Sequence, residues 1–311
     1  MPRRSTSRTP DSVMVVGGAG FIGSHLVDRF VAEGSSVHVV DSMVSGSLAN
    51  LSSARNSGHE GRLTIQQLDA AAPEFADYVA RRRPDVVYVV AGLEPRARQP
   101  MEAVLALGTF VNVLEAVRTG SPASKVVFTV PGSVLYGDQS ARALPCKEDG
   151  ELRPVGVVGV VVSAMIDTAD SYRRDHGVEY SAIVLGTVYG SRLRSDSNVV
   201  GAALANRRDG TPFVCAGDGR QTRDLLHVDD CVDGLFRAST RGGGLVINLA
   251  TGIQTAIRDL WATIGGGGET SHVEPRPGSP TRVALSPSRA RLHLGWSPWT
   301  SLDDGLARCD E

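Results

Sequence analysis

The sequence predicts an α/β protein, a doubly wound parallel sheet carrying a smaller C-terminal α/β region. Three observations predict it. Short apolar runs alternate with helix-length segments over residues 12–186. These runs are continuous in apolar character, as strands buried on both faces must be. A glycine-rich turn, Gly17-Gly18-Ala19-Gly20-Phe21-Ile22-Gly23, stands between the first run and the first helix-length segment.

In chain order, Val13 to Val16 reads as the first strand, Ser24 to Glu33 as the first helix and Val37 to Val40 as the second strand. Leu63 to Leu68 and Asp85 to Val90 read as the third and fourth strands. A helix near Met101 to Arg118, a strand at Lys125 to Thr129, a helix near Val161 to Asp175 and a strand at Tyr180 to Leu185 continue the rhythm. After Tyr189 the pattern changes. Ser191 to Asn198 is polar, Val199 to Arg208 reads as a helix, and Pro, Gly and Arg become frequent towards Pro298. Loop-rich sequence joined to such a sheet supplies the second wall of a cleft, because ligands sit beyond the carboxyl ends of the strands. The expected organisation is a disordered tail at 1–11, a nucleotide-binding domain at 12–186 plus about 225–249, and a ligand-binding region at about 187–224 plus 250–311. Gly265 to Gly268 reads as a loop.

The 311 residues, 41% hydrophobic and 21% charged, suffice for an ample core without disulfide or metal staples. A formal net charge of -2 gives no electrostatic reason to expect nucleic acid. Cys146, Cys215, Cys231 and Cys309 are far apart and form no C-x-x-C pair, so no zinc site is suggested and reduced thiols are expected. The basic start is followed by no apolar leader segment, and no apolar run of 18 residues is apparent. These features lead to the expectation of a cytoplasmic protein with no membrane and no nucleic-acid partner.

The glycine turn carries chemistry because of its context. It follows a strand, opens an apolar helix and is followed by a second strand ending in Asp41. Glycines allow a tight turn and close backbone approach, and the helix amino terminus faces a pyrophosphate. An acidic residue about 20 positions on accepts the adenosine ribose hydroxyls. This is a Rossmann dinucleotide site, with Gly17, Gly20, Phe21, Ile22 and Gly23 at the phosphates. Asp41 selects NAD over NADP by repelling a 2'-phosphate. Asp69, at the end of the third strand, is placed to reach the adenine amino group, a solvent-exposed turn aspartate being the other reading. Val90-Ala91-Gly92-Leu93 ends the fourth strand where a thin backbone lets the pyrophosphate pass.

Beyond the glycine turn and Asp41, further strings stand out. They are DSMVSGSLANL at 41–51, LYGD at 135–138, VYGSR at 188–192, GDGRQTRDLLHVDD at 217–230, VINLATG at 246–252, PRPGSPTR at 275–282 and LGWSP at 294–298. From about Val13 to Gly305 the chain resembles the NAD-dependent epimerase/dehydratase family of extended short-chain dehydrogenase/reductases, the branch that includes UDP-galactose (UDP-glucose) 4-epimerase. The resemblance implies NAD as cofactor, held also by Ser42, Ser45, Gly46 and Ala70, and a UDP- or dTDP-sugar as ligand. It assigns Arg223 and Arg276 to the sugar nucleotide's pyrophosphate, a task suited to the rigid, always-charged guanidinium. It assigns Thr187 and Asn198 to the same ligand and places Pro212-Phe213 beside the nucleotide base. It further implies a homodimer formed through two helices per subunit.

The same resemblance exposes a departure. The family's active site requires a Tyr-x-x-x-Lys pair, the tyrosine as acid/base and the lysine as the cation that lowers its pKa. Free tyrosine, with a pKa of about 10, is a poor base near neutrality without that help. Here Val158 falls at the tyrosine position and Val162 at the lysine position. The spacing to Pro154 and to Tyr172-Arg173-Arg174-Asp175-His176-Gly177 fits without a gap, and no tyrosine lies between Tyr136 and Tyr172. Lys147, the nearest lysine, reads as a loop charge. Leu105, Val184 and Glu94 stand where the family carries an asparagine, an arginine and a lysine, and Thr187 replaces an asparagine. Ser133, Thr129, Tyr136 and, more remotely, Ser163 are the remaining catalytic candidates, although Tyr136 reads more readily as a packed tyrosine of the LYG turn. The sequence therefore leads to a nucleotide-binding pseudoenzyme or regulatory partner of an active relative. The alternative is an active NAD-dependent nucleotide-sugar epimerase or dehydratase with displaced groups.

Overall fold

The structure, a computed structural model, describes residues 9–57, 61–90, 100–264, 270–275 and 279–309. Its strands are β1 (Ser12–Val16), β2 (Ser36–Asp41), β3 (Leu63–Gln67), β4 (Val86–Val89), β5 (Lys125–Pro131), β6 (Tyr180–Leu185), β7 (Thr187–Tyr189), β8 (Phe213–Ala216), β9 (Thr222–Arg223), β10 (Leu225–His227), β11 (Leu245–Leu249), β12 (Thr255–Ala256) and β13 (Thr270–Val273). Its helices are α1 (Phe21–Ala32), α2 (Ser52–Arg55), α3 (Glu74–Arg82), α4 (Pro100–Gly120), α5 (Gly132–Tyr136), α6 (Gly156–His176), α7 (Val199–Asp209), α8 (Val228–Ala238), α9 (Ile257–Thr263), α10 (Ser288–Leu294) and α11 (Leu302–Ala307).

Seven parallel strands form one sheet in the order β11-β6-β5-β4-β1-β2-β3. Strand β1 pairs with β2 on one side and β4 on the other, so the winding reverses at β1. A crevice opens beyond the carboxyl ends at such a reversal. Both faces are covered, which accounts for the unbroken apolar strands. Val13 and Val15 pack with α1 and α8 on one face, through Leu26, Phe30 and Leu235. Met14 and Val16 pack with α3, α4 and α6 on the other, through Phe75, Phe110 and Val162. The 21-residue α4 is long and apolar enough to cross a membrane by length and composition, a property the sequence expectation passed over. It packs between α3 and α6 on this sheet face.

Two elements depart from the expected bounds. Helix α6 begins at Gly156, five residues before Val161, and the short α5 was not expected. Both differences lie in tertiary contacts. Val155 donates its N–H to the Val134 carbonyl at 2.8 Å, and a Cβ at Gly159 would lie 2.5 Å from that same oxygen. These contacts fix the two helices together despite a glycine- and valine-rich start of low intrinsic helix propensity.

The C-terminal portion has its own small core, in which Phe213 stacks on Trp261 with centroids 4.9 Å apart. Two buried carboxylates seat it on the sheet. Asp224 accepts from Thr251 N and Oγ1, Gly252 N and Leu285 N. Asp230 accepts from Trp299 N, Thr300 N and Thr300 Oγ1. Four partners satisfy the lone pairs of Asp224 and three converge on Asp230, which offsets the cost of removing each carboxylate from water.

Candidate functional site

The glycine turn lies at the carboxyl end of β1. Gly17 has φ +82, a left-handed conformation that disfavours other residues, and its N–H bonds to the Val40 carbonyl at 2.8 Å. A Cβ at Gly23 would sit 2.1 Å from the Gly17 oxygen, so only glycine lets α1 approach the turn. Gly20 caps α1 with no side-chain hydrogen bond, and the first turn of the helix contains no acidic residue. The opening amides of α1, including those of Phe21, Ile22 and Gly23, thus face outward with the positive end of the helix dipole, a ready anion site.

Asp41 ends β2 beside that turn. Its Oδ2 accepts from Ala19 N and its Oδ1 from Met43 N, both at 2.9 Å. Gly46 packs against the carboxylate, where a Cβ would lie 2.7 Å from Oδ1. The segment carrying exposed Ser42 and Ser45 is tied back by two donors to the Ala19 carbonyl, Ser47 N at 3.0 Å and Asn50 Nδ2 at 2.8 Å. The carboxylate is therefore anchored by backbone N–H groups and keeps acceptor capacity for ribose hydroxyls. Asp69 is exposed, and its Oδ1 accepts from Ala71 N at 2.9 Å, the arrangement of a turn aspartate. Ala70 is buried and its carbonyl accepts from Asn112 Nδ2. Val90 is half-buried, its N–H bonded to the Val16 carbonyl. Ala91, Gly92, Leu93 and Glu94 lie outside the described residues.

The residues present fit a dinucleotide at its adenosine and pyrophosphate end: a cradle that a Cβ would fill, outward helix amides and an anchored carboxylate. Asn50 and Asn112 were not anticipated. They act on backbone carbonyls and leave no spacing signature.

Across the reversal, the sheet presents a different surface. Thr129 near the end of β5 and Ser133 in α5 are half-buried, and neither side chain bonds to any described residue. Val158 is half-buried on α6, while Val162 is 0% exposed within the core that includes Val130 and Val134. Ser163 is half-buried and Lys147 is exposed in a loop. Tyr136 is enclosed. Its hydroxyl donates to Asn248 Oδ1 at 2.8 Å, and burial pushes its pKa up, the reverse of what a proton acceptor near neutrality needs. The packed-tyrosine reading therefore holds for Tyr136. Asn248 in turn donates from Nδ2 to the Cys146 and Ser286 carbonyls.

On the C-terminal wall, Thr187 is half-buried and its N–H bonds to the Asp224 carbonyl. Asn198 caps α7: its Oδ1 accepts from Val200 N and Gly201 N, and its Nδ2 donates to the Val188 carbonyl at 2.8 Å. Arg223 donates through Nη1 to the Thr222 and Pro280 carbonyls and through Nη2 to Ser279 Oγ, which orients its guanidinium against the 279–280 segment. Arg276 lies outside the described residues. Phe213, on β8 beside β13, turns its ring inward onto Trp261 and is 1% exposed, leaving Pro212 as the exposed member of the pair.

A parallel sheet with its glycine cradle and ribose carboxylate at the winding reversal defines a dinucleotide-binding protein. The chain belongs to the NAD dependent epimerase/dehydratase family, whose model matches residues 13–250, and its cofactor is NAD. It is 33% identical over 309 residues to a UDP-glucose 4-epimerase of Mycolicibacterium smegmatis, covering 96% of this chain and 97% of the relative. Among solved structures it is similar to the UDP-glucose 4-epimerase of Thermotoga maritima with UDP-glucose, at 28% identity and TM-score 0.88 over 96% of each chain. It is also similar to the Thermus thermophilus UDP-glucose 4-epimerase in complex with NAD, at 25% identity and TM-score 0.84 over 96% of each chain.

Proposed function

We propose that this protein holds NAD together with a UDP- or dTDP-sugar and does not perform the tyrosine- and lysine-dependent hydride chemistry of its family. One observation carries the reading: Val158 and Val162 stand on α6 where that chemistry needs an acid/base and its activating cation. Losing a positioned acid/base costs about 10²- to 10⁴-fold in rate, and here the cation is absent as well. Similarity to the Mycolicibacterium and Thermotoga epimerases supports a sugar nucleotide as the ligand, with Arg223 oriented beside the 279–280 segment. The protein then acts as a regulatory or binding partner. Exposed Met101, Val104 and Leu105 on α4 and Val157 and Val160 on α6 support pairing with a second copy or with an active relative.

The test is incubation of purified protein with UDP-glucose, UDP-galactose, UDP-N-acetylglucosamine and dTDP-glucose, followed for epimers, dehydrated product and NADH. Binding without turnover is expected. Turnover at a rate of about 1 s⁻¹ or more, ordinary for enzymes, would overturn the proposal. The second reading, an active epimerase or dehydratase with displaced groups, draws on the unengaged hydroxyls of Thr129 and Ser133. Under it, Ser133→Ala and Thr129→Val abolish the turnover seen.

A further inference from the structure

We infer that Asp138 is a positioning residue for the nucleoside diphosphate: it holds the segment at 279–282 on which Arg223 sets its guanidinium, and acts on ligand affinity through that arginine. The inference rests on the reading that a sugar nucleotide is the ligand and Arg223 its pyrophosphate contact.

Asp138 closes the LYGD string, at the turn that follows α5. Its carboxylate reaches a segment 143 positions along the chain. Oδ1 accepts from Thr281 N at 3.0 Å and from Arg282 N at 3.3 Å, and Oδ2 accepts from Thr281 Oγ1 at 2.8 Å. One carboxylate thus gathers two successive amides and a hydroxyl. The turn that carries it is held on both sides. Gly137 has φ +60 and lies so close to the Arg153 carbonyl that a Cβ would stand 2.2 Å from its oxygen. Gln139 donates from Nε2 to the Tyr136 carbonyl at 2.8 Å and to the Glu151 carbonyl at 3.0 Å.

The same segment meets Arg223 from the other direction. Thr222 donates its N–H to the Thr281 carbonyl at 2.9 Å, so β9 and Asp138 both hold residue 281. One and two positions earlier, the Pro280 carbonyl accepts from Arg223 Nη1 at 2.9 Å and Ser279 Oγ accepts from Nη2 at 3.1 Å. Neither acceptor is an anion, so the two set the plane of the guanidinium without neutralising it. A planar fork takes phosphate oxygens two at a time only when it faces them. Asp138, Thr281, Pro280 and Arg223 therefore form a continuous path from the α5 turn to the fork. Asp138 is exposed, and water competes for its hydrogen bonds, so its effect on overall stability is small and its effect on placement is the larger one. With the carboxylate removed, the segment and the guanidinium have to be ordered at the moment of binding, which lowers affinity.

The experiment is calorimetric titration of the full-length, NAD-loaded protein with UDP and dTDP, for the parent, Asp138→Ala, Arg223→Ala and the double variant. Asp138→Ala should weaken the diphosphate by about threefold to tenfold, the cost of ordering one long side chain. Arg223→Ala should weaken it by about tenfold or more. In the Arg223→Ala background the loss from Asp138→Ala should vanish, which a clip that only stabilised the fold would not produce. Asp138→Asn, whose carbonyl oxygen still accepts from the two amides, should restore most of the affinity. Thr281→Val leaves the backbone bonds in place and should give a smaller loss in the same direction. Parent-like affinity in Asp138→Ala, or in Thr281→Val should Asp138→Ala not fold, overturns the inference, as does an equal loss in both backgrounds. Unchanged affinity in Arg223→Ala removes that arginine from the ligand and overturns the inference with it. Failure of the parent to bind either diphosphate overturns instead the sugar-nucleotide reading on which the inference rests.

Discussion

Gly23→Ala offers a quantitative probe of the cofactor cradle. The added Cβ would lie 2.1 Å from the Gly17 oxygen and 2.9 Å from the Gly17 carbonyl carbon and the Gly18 Cα, whereas ordinary contact begins at 3.4 Å. The oxygen and the methyl must therefore separate by about 1.3 Å, and because every partner is backbone, no side-chain rotation relieves the clash. Sliding α1 disturbs Leu26, Val27 and Phe30, all 0% exposed, at an overpacking cost of about 1–3 kcal/mol. Moving Gly17 instead strains its hydrogen bond to Val40 and turns the helix amides away from the pyrophosphate. A hydrogen bond to a charged group is worth about 1.5–3 kcal/mol, so losing one weakens NAD by about 10- to 100-fold. Calorimetric titration with NAD, paired with urea unfolding, measures both costs. Gly108→Ala is the control: nothing lies within 4 Å of its added Cβ, and a mid-helix replacement there should raise stability by about 0.5–1 kcal/mol with NAD affinity unchanged. Gly23→Ala binding NAD within about threefold of the parent, with an unshifted urea midpoint, would refute the close-approach argument.

Tyr136→Phe strands the Asn248 acceptor and should cost about 1–3 kcal/mol in urea unfolding, with nucleotide affinity and any turnover untouched. A large loss of turnover at unchanged stability would return Tyr136 to the catalytic candidates. The double substitution Val158→Tyr with Val162→Lys should lower stability, since Val162 is fully buried, yet raise epimerisation or dehydration by about 10²-fold or more. No gain from a folded, NAD-loaded variant would refute the positional assignment of the two valines. His38, 9% exposed and near Arg82, has its pKa lowered to about 4 by burial first and by that arginine second. The unfolded chain takes up this proton near 6.5 while the folded one stays neutral, so stability is lost as pH falls from about 6.5 to about 4. Urea midpoints across that window should fall for the parent and flatten for His38→Phe.

The strands were legible because burial on both faces leaves a run of valines: Val13 and Val15 enter one core, Met14 and Val16 the other. Asp41 was legible because the distance from glycine turn to strand end is set by one helix and one strand. Helix α5 and the start of α6 were not, since the Gly156–Val162 segment is made of glycine and β-branched residues and is held by the Val134 carbonyl, a contact remote in sequence. Phe213 was placed by its motif alone, and the direction of its ring follows from stacking on Trp261, 48 positions along the chain. Asp224 and Asp230 stood inside a recognised string, yet their roles depend on residues 251–300, far along the chain.

The two halves of the cleft differ in what the fold requires of them. At the end that fits adenosine and pyrophosphate the groups offered to a ligand are largely backbone amides, and the glycines and Asp41 that arrange them also close the turn between β1 and α1. Changing those residues disturbs folding and binding together. At the other end, the side chains at 158 and 162 project from a helix whose position is held elsewhere, by Val155, Gly159 and the α4 contact. A buried lysine at 162 would need an acceptor or a path to water, whereas the valine needs neither and contributes about 1.5–3 kcal/mol when fully buried. On the proposed reading, exchanging the acid/base and its cation for valines is thus neutral or favourable for stability, while loss of the cradle is not. On that reading, the asymmetry explains how a chain can retain the family's fold and NAD site with valines at the two positions proposed for its chemistry.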